Sequence, residues 1–204
     1  MKRSIQLSTI VFGLFFCFSH ALAQDKRTSE IGVEKRTNAL EIGVEYLKGL
    51  GDFGDIYDNG IGGAVRYRFG VTEHKSLLAS VGYMNFMGNL ALPGNNKAVD
   101  LNARFIPIKI GMKFRFLKYV YVAGEIGGTI ALGVKGVENI NSFVASQYEI
   151  KGTLFNYTPT IGVQIPTTGK NYVDLGIRYE GMIIDQRSTS FFGIRAAYAF
   201  DVAR

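Results

Sequence analysis

Five acids and seven bases carry the chemistry open to this sequence, and what marks them is their spacing. Glu41, Glu45, Glu125, Asp174 and Glu180, with Arg66, Arg68, Lys109, Lys113, Arg115, Arg178 and Arg195, each stand one residue from an apolar side chain. The pattern is plainest around Lys109, where Ile106, Ile108, Ile110, Met112, Phe114 and Phe116 alternate with Pro107, Lys109, Gly111, Lys113 and Arg115. A period of two places the charges on one face of a strand and the apolar residues on the other. If the charged face is enclosed, both signs must be present, because a buried charge is tolerated only when it is paired. The chemistry expected of the twelve is therefore an interior network of ion pairs and hydrogen bonds, with glycines making room.

Catalytic and metal chemistry have less to draw on. Of the two histidines, His20 falls in a segment expected to be removed, and His74 lies in a short polar connection between Glu73 and Lys75. A Ser/His/acid arrangement therefore lacks its base, and no close acidic pair stands out. Asp52, Asp55 and Asp58 crowd together with Asn59, and oxygen-rich loops suit calcium or magnesium. Their spacing does not match a calcium loop and a bidentate glutamate is missing, so a solvated acidic loop is expected. No catalytic, cofactor-binding or metal-binding residue is assigned, and no enzyme is expected.

The elements that position the charges are strands. Alternation runs through Leu40, Ile42, Val44 and Tyr46; then Ile61, Val65, Tyr67 and Phe69; then, less cleanly, Leu77, Ala79, Val81 and Tyr83. It continues through the Lys109 run and through Val120, Val122, Ile126 and Ile130. Phe155, Tyr157, Pro159, Ile161, Val163 and Ile165 follow, then Val173, Leu175, Ile177 and Tyr179, and last Phe192, Ile194, Ala196, Tyr198 and Phe200. That makes eight strands, each about ten residues, the length a tilted strand needs to cross a bilayer. The connections alternate in length. Residues 49–60, 88–103 and 133–152 are long and 181–190 intermediate, whereas 72–76, 117–119 and 166–171 are short. Long loops at one end and short turns at the other are the habit of a transmembrane barrel, and an even strand count leaves both termini on the short-turn, periplasmic side. Eight strands enclose an interior that side chains can fill. The fold class expected is thus all-β, an eight-stranded antiparallel up-and-down transmembrane β-barrel over residues 39–204.

The N-terminus assigns the compartment. Lys2 and Arg3 precede a short apolar run at 10–18, and Ala21-Leu22-Ala23 supplies a small-x-small cleavage pattern, so residues 1–23 read as a signal peptide. Residues 24–38 read as a periplasmic leader, in which Glu30-Ile31-Gly32-Val33-Glu34 recurs as Glu41-Ile42-Gly43-Val44-Glu45, read as coincidence with a local duplication or an extra strand start as the alternative. The single cysteine, Cys17, leaves with the signal, so there is no disulfide framework. Removing Lys2 and Arg3 lowers the formal charge from +6 to +4, a mild excess spread along the chain without the clustered basic face that nucleic acid requires. Tyr46, Phe69, Phe116, Tyr119, Phe155, Tyr179 and Phe200, near strand ends, are expected as aromatic girdles at the two lipid–water interfaces. Pro159 falls mid-strand and implies a bulge or local break, while Pro107 is expected near the rim.

With these residues in view, the chain resembles the small eight-stranded outer-membrane barrels of OmpA/OmpX type, and more narrowly the Bacteroidetes-type outer-membrane β-barrel-domain, porin-like proteins. The resemblance is carried by Phe105-Ile-Pro-Ile-Lys-Ile-Gly-Met-Lys-Phe114 with Tyr121-Val-Ala-Gly-Glu-Ile-Gly127. The closing run Phe192-Gly-Ile-Arg-Ala-Ala-Tyr-Ala-Phe200 is similar to the terminal strand that the barrel-assembly machinery reads, although residues 201–204 follow the aromatic that is normally last. The resemblance implies contact with outer-membrane lipid and lipopolysaccharide, the assembly machinery as a partner during biogenesis, and a monomer. The function expected is a non-enzymatic outer-membrane barrel with a largely filled lumen and long extracellular loops, in a structural or surface-interaction role. The alternative is a narrow porin-like channel for small solutes, its wet path lined by Arg66, Arg68, Lys109, Lys113 and Arg115. A soluble lipocalin-like carrier and a surface enzyme are the weaker readings.

Overall fold

The computed structural model of the chain describes residues 38–91, 98–141, 144–167, 169–184 and 187–202. The expected signal peptide, with Cys17 and His20, and the first Glu-Ile-Gly-Val-Glu copy lie outside the described residues, as does the leader except for Asn38. Eight strands follow in order: β1 (Ala39–Leu50), β2 (Asn59–Gly70), β3 (Lys75–Ala91), β4 (Ala98–Arg115), β5 (Val120–Asn141), β6 (Val144–Pro166), β7 (Tyr172–Ile184) and β8 (Arg187–Asp201). Each pairs antiparallel with the next, and β1 pairs with β8 from Ala39↔Asp201 to Leu50↔Ser190. This is the closed up-and-down barrel that the alternation predicts.

The two faces separate as the period of two requires. Val44, Ile110 and Ile194 are 68%, 65% and 62% exposed on the outer wall, while Glu41, Asp174 and Glu180 on the inner wall are fully buried. Slipping any strand by one residue would exchange those sets, turning carboxylates and ammoniums outward and the aliphatics inward. Register is therefore specified by both faces at once. Exposed aromatics form two bands on the outer wall. Tyr67, Phe69, Phe116, Tyr119 and Phe200 ring the end that carries the short turns, which we call the turn end. Tyr46, Tyr83, Phe155 and Phe192 ring the opposite, loop end, where Tyr179 sits half-buried between Phe192 and Tyr157.

Three expectations need correction. First, the long connections are mostly strand. β5 and β6 run 22 and 23 residues and stay paired out to Asn141↔Val144, so most of 133–152 is a continued hairpin. β3 and β4 likewise pair as far as Ala91↔Ala98, through most of 88–103, and the connection 92–97 itself lies outside the described residues. A hairpin that keeps pairing satisfies each backbone N–H and C=O, and these stretches keep enough β-branched residues to continue. Second, Pro107 is not at the rim, because β4 begins at Ala98. Like Pro159, it sits mid-strand, and both act alike. The β3–β4 ladder lapses between Val81↔Ile108 and Met84↔Phe105, the β6–β7 ladder between Tyr157↔Gly181 and Thr160↔Arg178, and each resumes in the same register. A missing N–H thus breaks one ladder locally without a bulge, and the register shifts fall elsewhere, at Arg104/Phe105 and in the upper half of β5–β6.

Third, the loop after β1 is not simply solvated. Residues Gly51–Ile56 form a short helix, α1, entered through Gly51 in the left-handed region at φ 57°. Asp52 and Asp55 are exposed on it, but Phe53 turns toward the barrel and packs on Phe86 at 5.0 Å between ring centroids. The helix rests on Gly88, where a Cβ would collide with the Ile56 carbonyl oxygen.

Candidate functional site

The interior has two storeys. The lower one, toward the turn end, is charged. Glu41 on β1 and Asp174 on β7 share two cations there. Lys113 Nζ lies 3.1 Å from Glu41 Oε1 and 2.9 Å from Asp174 Oδ2. Arg195 reaches Glu41 Oε2 at 3.1 Å and Asp174 Oδ1 at 2.9 Å. The Tyr172 hydroxyl donates to Glu41 at 2.8 Å and the Tyr121 hydroxyl to Asp174 at 2.7 Å. Arg66 then links Glu41 to Glu125, at 3.4 and 2.6 Å, and Ser80 donates to Glu125 at 2.8 Å. Higher up, Glu180 receives Lys109 at 3.1 Å and Arg178 at 2.8 Å. Arg178 also reaches Glu45 at 2.7 Å, and Asn156 donates to Glu180. Every strand except β3 and β6 supplies a charge, and those two supply Ser80, Asn156 and Thr158.

Ten of the twelve charged residues singled out in the sequence come together in this network, and all ten are buried. Five are carboxylates and five are cations, so the set is neutral. The other two stand at the turn end. Arg68 is half-buried at the mouth, its guanidinium 5.4 Å from the centre of the Tyr172 ring and 3.5 Å from Ser76 Oγ. Arg115 ends β4, where no wall continues around it, and its Nη2 donates to the Glu73 backbone carbonyl at 2.7 Å. Placing Arg115 in the interior network is thus corrected: it caps the turn between β2 and β3. His74 is exposed in that turn. Asp58 accepts from Lys48 and from Asn59 Nδ2 on the outer rim, away from Asp52 and Asp55 on α1.

The upper storey is apolar. Leu47, Met84, Phe86, Leu101, Ala103, Phe105, Ala131, Met182 and Phe191 form one buried cluster. Phe86 is its centre, 4.9 Å from Phe191 and 6.0 Å from Phe105, with Phe53 of α1 and Tyr57 closing over it. The seam between storeys is marked by Arg178 Nη2, which lies 3.6 Å from Met84 Sδ. The sequence reading names none of these residues as interior, although Leu47, Phe105 and Phe191 continue the parity of the charges on their own strands and Met84 that of Ser80. It also left out Tyr121, Tyr172 and Asn156, polar residues of the same parity that complete the network. Parity was the signal that could have found both sets.

No protein-family model matches the sequence, and no curated protein is detectably similar to it. Solved structures are similar in shape. Ail, the attachment invasion locus protein of Yersinia pestis, solved with the heparin analogue sucrose octasulfate, aligns with a TM-score of 0.56 at 16% identity, over 81% of this chain and 100% of its own. A second structure of Ail gives 0.55 at 15% identity, over 81% and 99%. Neisserial surface protein A aligns with a TM-score of 0.50 at 12% identity, over 79% and 95%. At these identities the likeness establishes architecture and nothing finer: the chain has the eight-stranded up-and-down barrel fold seen in these outer-membrane proteins.

Proposed function

We propose that this chain is a non-enzymatic integral outer-membrane barrel whose lumen is structural, and whose role is mechanical or is carried by its outer surfaces. The observation that carries the reading is the filled interior. The five buried carboxylates all contact buried cations, and the aromatic cluster under α1 occupies the space above them. The outer wall supports a membrane setting, since Ile42, Val65, Ile108, Ile126, Ile161 and Ile177 present aliphatic surface between the two aromatic bands. On this reading residues 1–23 are the signal peptide, 24–38 a periplasmic leader and 39–204 the barrel. Both termini lie in the periplasm and the protein is a monomer. Outer-membrane lipid and lipopolysaccharide surround it, and the barrel-assembly machinery inserts it.

Planar-bilayer recording tests the lumen directly. The purified barrel, checked by the mobility shift between boiled and unboiled samples, is expected to give no discrete conductance steps. Steady steps of uniform size would instead favour the narrow channel, and would place the wet path beside Arg66, Lys109 and Lys113.

A further inference from the structure

The mild positive charge of the chain looks evenly spread in sequence, but folding sorts it. The interior network is neutral, with five carboxylates and five cations. At the loop end the described charged side chains are Lys48 and Arg104 against Asp52, Asp55 and Asp58, a slight acidic balance. At the turn end they are Arg68, Lys75, Arg115, Lys118 and Lys170 against Glu73 and Asp201, a basic one. Lys75, the neighbours Arg115 and Lys118, and Lys170 come from three separate turns, and the antiparallel topology brings them to one rim.

The turn between β4 and β5 adds a second, independent observation. Phe116, Leu117 and Tyr119 are 46%, 59% and 42% exposed at its tip, and Lys118 Nζ lies 5.1 Å from the centre of the Tyr119 ring. A turn meant only for water gains nothing from three exposed large apolar side chains. A headgroup layer accommodates all four residues, with rings and aliphatic carbon at the acyl boundary and the ammonium among phosphates. The aromatic band of Tyr67, Phe69 and Phe200 sets the same depth around the wall.

We propose that the turn end is a docking rim for anionic phospholipid headgroups, bound through Lys75, Arg115, Lys118 and Lys170. The proposal rests on the membrane-spanning reading above. A lipid annulus fits better than an acidic protein because all three described short turns contribute: Lys75 follows the β2–β3 turn, Lys118 sits in the β4–β5 turn and Lys170 in the β6–β7 turn. A one-sided partner could reach only part of such a rim.

The test reconstitutes the full mature chain into nanodiscs of phosphatidylcholine with a minority of phosphatidylglycerol, and measures the ratio of the two lipids that stay bound after mild detergent extraction. Wild type is expected to retain phosphatidylglycerol above its bulk share, less so at high salt. Lys118→Gln and Lys170→Gln are each expected to lower that enrichment by about fivefold, and Lys48→Gln at the other rim to leave it unchanged. Bound lipid matching the bulk ratio, or equal loss in Lys48→Gln, would overturn the proposal. Each sample is also run boiled and unboiled. A mobility shift with no enrichment sinks the lipid rim alone, whereas no shift in any sample sinks the membrane barrel and the rim with it.

Discussion

The two storeys of the interior line successive parts of one inner wall and are filled by opposite means. In the lower storey, Glu41, Asp174, Lys113 and Arg195 hold one another by charge. In the upper, Phe86, Phe105 and Phe191 hold one another by shape. The difference teaches what each kind of filling is for. Aromatic packing is forgiving about partners, since rings meet in many tilted arrangements. An ion-pair network is not, because a missing partner leaves a bare charge in a place without water. The charged storey therefore discriminates among registers, whereas the aromatic storey closes the space and gives α1 a seat. Buried ion pairs are weak evidence for net stability, so their use here is better read as specification of one closed arrangement, with Arg195 of β8 bonded to Glu41 of β1 across the closing seam.

The comparison can be broken by removing one member of each storey and titrating the folded barrel with guanidinium in phospholipid vesicles. Glu41→Ala strips a partner from Arg66, Lys113 and Arg195 together. It is expected to cost about 4–5 kcal/mol, the upper end for a broken buried pair. Phe86→Ala removes the centre of the aromatic cluster and is expected to cost about 3 kcal/mol, the lower end for such a truncation, because α1 can settle into the space. If Phe86→Ala proves the more damaging of the two, the charged storey is not the more demanding one and the contrast drawn above is wrong. Circular dichroism is the natural readout, since the chain has no tryptophan.

The smallest effect sharpens the contrast from outside the barrel. Lys48 donates a hydrogen bond to Asp58 on the exposed rim, and that bond holds the Asp58 carboxyl below its ordinary value of 3.8. A depressed carboxyl contributes whatever stability it has above its unfolded pKa, and loses it as pH falls through the folded one. The pair should thus be intact at neutral pH and open only below about pH 4. Carbon-detected titration of Asp58 is expected to move toward 3.8 in Lys48→Gln, with no change in the guanidinium midpoint at neutral pH. A shifted midpoint would mean that surface pairs matter here as interior ones do.

Much of this was legible in the chain. Alternation of Ile106, Ile108 and Ile110 with Pro107, Lys109 and Gly111 is enough to call a strand and its two faces, and eight such runs with alternating connections are enough to call the barrel. Use of both charge signs on one face was readable for the same reason. The aromatic storey was harder to see. Phe191 and Phe192 are neighbours in sequence, yet one is buried in the cluster and the other stands half-exposed on the outer wall. Hydrophobicity cannot separate them; only the parity of Arg195 on the same strand can. The fate of 133–152 was likewise ambiguous, because glycines and polar residues mixed among the apolar ones read as a loop.

Sequence by itself determined the strand count, the up-and-down order and which face of most strands carries the charges, because a period of two is a local property of the backbone. Tertiary structure alone decided the partners. Lys113 meets Glu41 across 72 positions and Arg195 meets it across 154, and no local pattern encodes such distances. It also decided that Arg115 leaves the network, that Phe53 turns inward, and that scattered lysines share one rim. Those outcomes depend on where strands end and what closes beside them, which is fixed only when the first strand meets the last.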